Sequence, residues 1–193
     1  MRLRSLILCA LFAALTAVGS LVKIPIGGVM IITLQTFFVF LAGLMLEPKY
    51  AFFSQLVYMA MGLIGLPVFS TGGGLSYVLM PTFGFVLGFC LCATLTSLLV
   101  RKNLAALMLD HTNKAMRIAR IVLYSIAAIV AMYVIGVGYM YMIRNLYSHE
   151  SVTIVSLIKA MGMFLLADSV KFAVAIPLCA AVYRRIPAIA RTI

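Results

Sequence analysis

Two residues of opposite charge, Asp168 and Lys171, lie three positions apart inside a long apolar run near the end of the chain. Residues three apart share one face of an α-helix, so the carboxylate and the ammonium group can meet. An ionised side chain at the centre of a membrane costs roughly 2.5–3.5 kcal/mol, and such residues are rare without a partner or a function. The pair is either a structural ion pair that neutralises itself or the polar floor of a ligand cavity, and we favour the cavity.

Neutral polar side chains are concentrated near one end of the apolar runs. They include Gln35, Tyr58, Ser76 and Thr82, and three successive glycines at positions 72–74 precede the last two. An aspartate accepts hydrogen bonds from N–H groups, whereas a lysine donates to a carbonyl or a carboxylate. Polar groups in membrane bundles also bond across helices, which is the alternative explanation. Together with the charge pair, they predict an outward-facing pocket for a small molecule that carries both kinds of group.

The first apolar run contains regularly spaced small residues. Ala10 and Ala14 are four positions apart, and Ala13 and Ala17 form an overlapping pair with the same spacing. Small residues at this spacing allow another helix to approach closely in lipid. That helix belongs either to this chain or to a partner protein.

The composition indicates the elements that must position these residues. Of the 193 residues, 65% are hydrophobic and 10% are charged, and the mean hydropathy is +1.20. A soluble domain has about 25% charged residues, whereas a membrane span needs about 20 apolar ones. We therefore predict an all-α integral membrane protein with six transmembrane helices in one domain, residues 1–193. The predicted spans are Leu6–Val22, Ile31–Leu46, Ala51–Phe69, residues 75–100, Ile118–Ile143 and Ala160–Tyr183.

The distribution of basic residues predicts the orientation. With the N-terminus in the cytoplasm, eleven Lys and Arg residues flank the inner ends of the spans and three flank the outer ends. This asymmetry is typical of membrane proteins and places both termini in the cytoplasm. It also accounts for the net charge of +11 without nucleic-acid binding. The inner residues are Arg2, Arg4, Lys49, Arg101, Lys102, Lys114, Arg117, Arg120, Arg184, Arg185 and Arg191.

Several functions lack their sequence signals. The glycine run is not followed by the Lys-Ser or Lys-Thr of a nucleotide-binding phosphate loop, so ATP hydrolysis by that route is excluded. His111 and His149 lie far from any cluster of cysteines or acids, and the four cysteines lie within apolar runs. We expect no metal site, no disulfide and no nucleophile–base pair. The first apolar run could be a signal peptide, but its 17 residues favour a retained first helix.

Four segments resemble the BioY family, the biotin-specific substrate-binding subunits, or S components, of bacterial energy-coupling factor transporters. They are ALFAALTAVGSLVKIPI, ITLQTFFVFLAGLMLEPKY, QLVYMAMGLIGLPVFSTGGG and the ADSVK around Asp168. The resemblance is nearly continuous from about Leu6 to Phe89 and resumes at the sixth span. LQTFFVFLAGL and GLIGLPVF are specific in combination, whereas Asp-x-x-Lys alone is a weak signal.

The resemblance implies an S-component fold in the bacterial cytoplasmic membrane that captures biotin from outside. It implies partners, namely a transmembrane coupling subunit and two ATPase subunits, and it implies no cofactor, since biotin is the transported ligand. The family's Asp-x-x-Lys pair, at the bottom of the biotin pocket, corresponds to Asp168 and Lys171. Its alanine motif, which docks the coupling subunit, corresponds to Ala10 and Ala14, with Ala13 and Ala17 as the overlapping pair.

One segment departs from the family pattern. Family members often carry Gly-Pro-Thr-Gly-Gly-Tyr at the start of the fourth span, where this chain has Met80-Pro81-Thr82-Phe83-Gly84-Phe85. Larger side chains there could alter ligand selectivity. The alternatives are an S component for another vitamin, a solitary and then homo-oligomeric transporter, a membrane-embedded enzyme with Asp168 and Lys171 as an acid–base pair, or a non-transporting assembly protein. We expect a transporter subunit and no enzyme.

Overall fold

The computed structural model describes residues 3–26, 30–109, 113–149 and 151–185, and these residues form an α-helical bundle. Helices α4 and α5 are joined by a π-helical segment, Thr96–Arg101, into one continuous helix. With α4 and α5 counted as one, the described residues contain six helices, which is the number that the sequence predicts. In chain order the elements are α1 (Leu3–Leu21), α2 (Gln35–Met45), α3 (Pro48–Leu63), α4 (Phe83–Leu95), α5 (Lys102–Leu109), α6 (Lys114–Met142) and α7 (Ile154–Arg185).

Four of these helices are long and apolar enough to cross a membrane. They are Leu3–Leu21, Phe83–Met108, Lys114–Tyr147 and Ile154–Arg185. Helix α2 has 11 residues and α3 has 16. At 1.5 Å per residue these two are only about 16 and 24 Å long, so they are shorter than the roughly 30 Å of a bilayer core.

Several predicted boundaries were wrong because the connecting segments fold back onto the bundle. Residues 31–33 belong to an antiparallel hairpin, in which β1 (Lys23–Ile26) pairs with β2 (Met30–Thr33), and not to the second span. The third span ends at Leu63, since Gly65 adopts a φ of +106° and Pro67 follows. The segment after the glycine run is a short 3₁₀-helix, Leu75–Leu79, before α4 begins at Phe83.

The other end of the bundle also differs from prediction. Most of the loop predicted between Arg101 and Arg117 is helical, because α4 continues through Arg101 into α5. His111 and the rest of residues 110–112 lie outside the described residues, as do Arg2 and Arg191 from the orientation count. The predicted orientation therefore stays a prediction.

Glycines allow α4 and α6 to approach closely. A Cβ atom added to Gly88 would lie 2.9 Å from the carbonyl oxygen of Met132, and one added to Gly84 would overlap Tyr139. On the opposing helix, a Cβ added to Gly136 would lie 2.5 Å from the ring of Phe85. Small residues at such spacing let two backbones pack in lipid, so this contact places α6 beside the core.

Candidate functional site

The carboxylate of Asp168 lies at the meeting point of three helices. Its Oδ1 accepts hydrogen bonds from Thr36 Oγ1 of α2 at 2.7 Å and from Lys171 Nζ at 2.8 Å. Its Oδ2 accepts one from the Tyr133 hydroxyl of α6 at 2.9 Å. Lys171 Nζ also donates to Thr36 Oγ1 at 2.9 Å. The predicted pair is therefore a true ion pair, and it belongs to a cluster of four polar side chains.

The cluster is largely buried, so its charged groups depend on one another and on Thr36 and Tyr133 for hydrogen bonds. The side chain of Asp168 is 7% exposed and that of Lys171 is 13% exposed. A buried charge is tolerated when it is paired and hydrogen-bonded. Next to the cluster, the rings of Phe40 and Phe172 pack with centroids 4.4 Å apart and hold α2 against α7. This packing keeps Thr36 within reach of the charge pair.

A groove of about 420 Å³ lies between α6 and α7. Its α7 wall is formed by residues spaced three or four apart, from Ile154 to Leu165, and Asp168 follows Leu165 on the same helical face. Tyr133 lines the groove and is also the hydrogen-bond donor to Asp168. The groove is apolar, and Tyr133 connects it to the charged cluster through its hydrogen bond to Asp168. Pockets of 300–1,000 Å³ that combine apolar walls with a few polar groups are typical of small-molecule sites.

Gln35 and Tyr58, two predicted ligand contacts, are bonded to each other. The side-chain amide of Gln35 donates to the Tyr58 hydroxyl, and its carbonyl oxygen accepts from Thr33 Oγ1 at 2.8 Å. The Tyr58 hydroxyl in turn donates to the backbone carbonyl of Val68 at 3.0 Å. Gln35 is 5% exposed and Tyr58 is 0% exposed. In this structure the two residues tie α2 and α3 to the loop that follows α3.

Ser76 and Thr82, the other two predicted contacts, lie at the bundle surface. The hydroxyl of Thr82 is 3.2 Å from that of Tyr77, which is itself 3.1 Å from that of Ser70. No hydrogen bond among the described residues connects Ser76 or Thr82 to the Asp168 cluster. The predicted pocket residues therefore form separate groups, and among them only Asp168 is hydrogen-bonded to a described residue that lines the groove.

The two alanine pairs of α1 differ in burial. Ala13 is 1% exposed and belongs to the core of the bundle, and Ala17 is partly buried against that core. Ala10 and Ala14 are exposed. Packing within the chain therefore explains Ala13, whereas Ala10 and Ala14 have a free face.

Sequence reasoning predicted neither Tyr133 nor Thr36 as a site residue. Both residues are single polar side chains in apolar runs, and only the folded structure brings them to Asp168. Within the described part of the chain, no three His, Cys, Asp or Glu residues lie close enough together to hold a metal ion. The four cysteines, Cys9, Cys90, Cys92 and Cys179, are free and buried.

The fold defines a multi-pass membrane protein, in which a buried ion pair is hydrogen-bonded to Tyr133, a residue that lines an apolar groove. A sequence model described as the BioY family matches residues 1–188. The chain therefore belongs to the BioY family, as the sequence motifs predict.

Curated relatives of this chain are biotin transporters by name. A probable biotin transporter of Lysinibacillus sphaericus is 43% identical over 143 residues, which are 74% of this chain and 67% of the relative. A probable biotin transporter of Pyrococcus horikoshii is 47% identical over 46% of this chain and 55% of the relative. A biotin transporter of Thermotoga maritima is 41% identical over 52% of this chain and 60% of its own length.

A solved structure has the same fold. It is the crystal structure of the S component for biotin from an ECF-type ABC transporter, with a TM-score of 0.73 and 21% sequence identity. The match covers 95% of this chain and 92% of the solved one. The S-component fold predicted from the sequence is confirmed.

Proposed function

We propose that this chain binds biotin and is the substrate-capturing subunit of an energy-coupling factor transporter. The observation that carries this proposal is the cluster of Asp168, Lys171, Thr36 and Tyr133, in which Tyr133 also lines an apolar groove. Biotin combines a ureido ring, which has two N–H donors and a carbonyl, with an apolar chain and a carboxylate. The polar ring suits the cluster and the chain suits the groove.

The cluster retains hydrogen-bonding capacity that matches one edge of a ureido ring. Lys171 uses two of its three N–H groups, one on Asp168 and one on Thr36. Oδ2 of Asp168 accepts one hydrogen bond and has a second lone pair. A ligand N–H group that donates to Asp168 would use the free lone pair, and a ligand carbonyl that accepts from Lys171 would use the free N–H group. Because the pair is neutral overall, it favours a neutral polar ring over an ion.

The groove has room for the rest of the ligand. From Leu165 to Ile154 its α7 wall spans eleven residues, or about 16 Å at 1.5 Å per residue. A ligand whose ring lies at Asp168 would extend its apolar chain along this wall. Its carboxylate would then point towards the α6–α7 connection. Gln35, Tyr58, Ser76 and Thr82 stay predicted ligand contacts, and each would need a conformation other than the one described above.

The remaining parts of the proposal concern location and assembly. We place the chain, as a single transmembrane domain over residues 1–193, in the bacterial cytoplasmic membrane with both termini inside. The proposed partners are a transmembrane coupling subunit and two ATPase subunits. The exposed Ala10 and Ala14 would dock the coupling subunit, because two small residues leave α1 open to close approach by another helix. No cofactor of the chain's own is needed, because biotin is the cargo.

A different vitamin-like ligand is the second candidate, and Phe83 favours it. This residue stands where family members often carry glycine, and it is buried among Phe69, Tyr77 and Tyr139 with ring centroids 5.9–6.4 Å away. Its ring fills space that glycine would leave open. The membrane-enzyme interpretation is set aside, because the family and the named relatives are transporters.

Calorimetric titration of biotin into the purified, detergent-solubilised protein tests the proposal. The chain has no tryptophan, so intrinsic tryptophan fluorescence offers no signal. One-site saturable binding that disappears in the Asp168→Ala/Lys171→Ala double variant is expected. Absence of binding by folded wild-type protein would exclude biotin and make other ring-containing vitamins the next ligands to test.

A further inference from the structure

Tyr133 belongs both to the polar cluster and to the wall of the groove. Its ring lines the groove between α6 and α7, and its hydroxyl donates to Oδ2 of Asp168. It is therefore the one residue of the polar cluster that also belongs to the groove wall, among the residues described. Tyr133 thereby links the groove to the carboxylate of Asp168.

The two oxygens of Asp168 differ in how they are held. Oδ1 accepts from both Thr36 and Lys171, so its lone pairs are occupied. Among the described residues Oδ2 accepts only from Tyr133, so it retains a lone pair for a ligand. The Tyr133 hydroxyl thus fixes the direction of that remaining lone pair and disperses part of the carboxylate charge. Oδ2 is the oxygen that the structure leaves open to an N–H donor.

Packing from α4 restrains the Tyr133 ring. The ring of Phe85 meets it edge to face, with centroids 5.4 Å apart and an interplanar angle of 80°. Phe85 fits there because Gly136 has no side chain, since a Cβ at that position would lie 2.5 Å from the Phe85 ring. Phe85 belongs to the segment in which this chain departs from the family pattern. A line of contacts therefore runs from Phe85 through Tyr133 to Asp168.

We propose that Tyr133 is a positioning residue that orients Oδ2 of Asp168 towards the ligand, and that Phe85 fixes Tyr133 in place for this task. The inference rests on the proposed binding of biotin. The inference concerns which ligands Asp168 prefers. When the Tyr133 hydroxyl donates to Asp168, the carboxylate favours a neutral ureido N–H group. Without that hydrogen bond, the carboxylate favours a cation.

The test compares two ligands on four proteins. The ligands are biotin and 2-iminobiotin, whose ring is a cyclic guanidinium and is cationic at neutral pH. The proteins are the wild type, Tyr133→Phe, Phe85→Leu and the matched control Tyr124→Phe. Tyr124 lies on the same helix as Tyr133 but outside the residues that line the groove. Dissociation constants are measured by calorimetry, and size-exclusion profiles and melting temperatures check folding.

Tyr133→Phe is expected to lower the affinity for biotin about tenfold, the loss typical of a hydrogen bond to a charged group. It is expected to shift the ratio of 2-iminobiotin to biotin affinity towards 2-iminobiotin by at least about fivefold. If Tyr133 only packed against its neighbours, its replacement would lower the affinities for both ligands by the same factor. Phe85→Leu should shift the ratio in the same direction by a smaller factor, and Tyr124→Phe should leave it unchanged.

Two results would overturn the inference. If wild-type protein binds biotin but the affinity ratio is the same in wild type and Tyr133→Phe, Tyr133 does not orient the carboxylate. If Tyr133→Phe does not fold and Phe85→Leu folds with an unchanged ratio, the inference fails as well. Failure of the wild type to bind biotin is a different outcome, because it overturns the proposed function and this inference together.

Discussion

The hydroxyl of Thr36 donates a hydrogen bond to Oδ1 of Asp168 at 2.7 Å, although 132 positions separate the two residues in the sequence. The same hydroxyl oxygen accepts from Lys171 at 2.9 Å. One neutral residue at the start of α2 therefore bonds both members of the ion pair on α7. This arrangement fixes the pair against a second helix, so that its remaining donors and acceptors have defined directions.

Asp168→Asn is expected to weaken biotin binding about 10- to 150-fold. The reason is the loss of a charged acceptor, which contributes roughly 1.5–3 kcal/mol. Calorimetry on folded protein measures the change. Ser169→Ala is the matched control, because that hydroxyl is exposed and bonds only to the carbonyl of Leu165 in its own helix. Equal affinities of wild type and Asp168→Asn would remove Asp168 from the site.

Thr36→Val is expected to destabilise the protein by roughly 1–3 kcal/mol. The valine is similar in shape but leaves the buried Asp168 and Lys171 each short of one partner. Unfolding in mixed micelles of increasing SDS fraction measures the change in free energy. Thr94→Val serves as control, since Thr94 bonds to the carbonyl of Cys90 in its own helix. Similar losses for the two variants would contradict a special role of Thr36.

Ala14→Leu is expected to leave biotin affinity unchanged and to lower co-purification of the coupling subunit about tenfold. A leucine on the exposed face of α1 would block close helix approach, and overpacking typically costs 1–3 kcal/mol. Quantitative pull-down measures the complex. Ala173→Leu places the same change on an exposed face of α7 and should have no effect. Full recovery of the complex with Ala14→Leu would refute the docking assignment.

Gly88→Ala is expected to destabilise the bundle by roughly 1–3 kcal/mol, because the added Cβ would meet the backbone carbonyl of Met132 at 2.9 Å. Gly138→Ala is the contrasting variant, since nothing lies within 4 Å of a Cβ there. It should be neutral or slightly stabilising, because alanine is the better helix former. The SDS titration described above distinguishes them, and equal stabilities would show that α4 and α6 adjust freely.

The site was only partly predictable from the sequence. Asp168 and Lys171 are recognisable because their spacing places them on one helical face and because charges are rare inside apolar runs. Tyr133 gave no such signal, since a lone tyrosine in an apolar helix is common. Tyr58 was predicted as a ligand contact, yet the structure shows its hydroxyl bonded to Gln35 and Val68. Hydrogen bonds between distant segments leave no local pattern.

By itself, the sequence determined the membrane class, the six helices and the charge pair, because hydropathy and helical spacing are properties of local residue order. The sequence motifs also identified the family. Tertiary structure alone decided that Gln35 faces Tyr58 while its neighbour Thr36 faces Asp168, and that Ala13 is buried while Ala14 is exposed. The physical reason is that these choices depend on which helices pack together. That packing is set by close contacts such as Gly88 against Met132, between residues far apart in the chain.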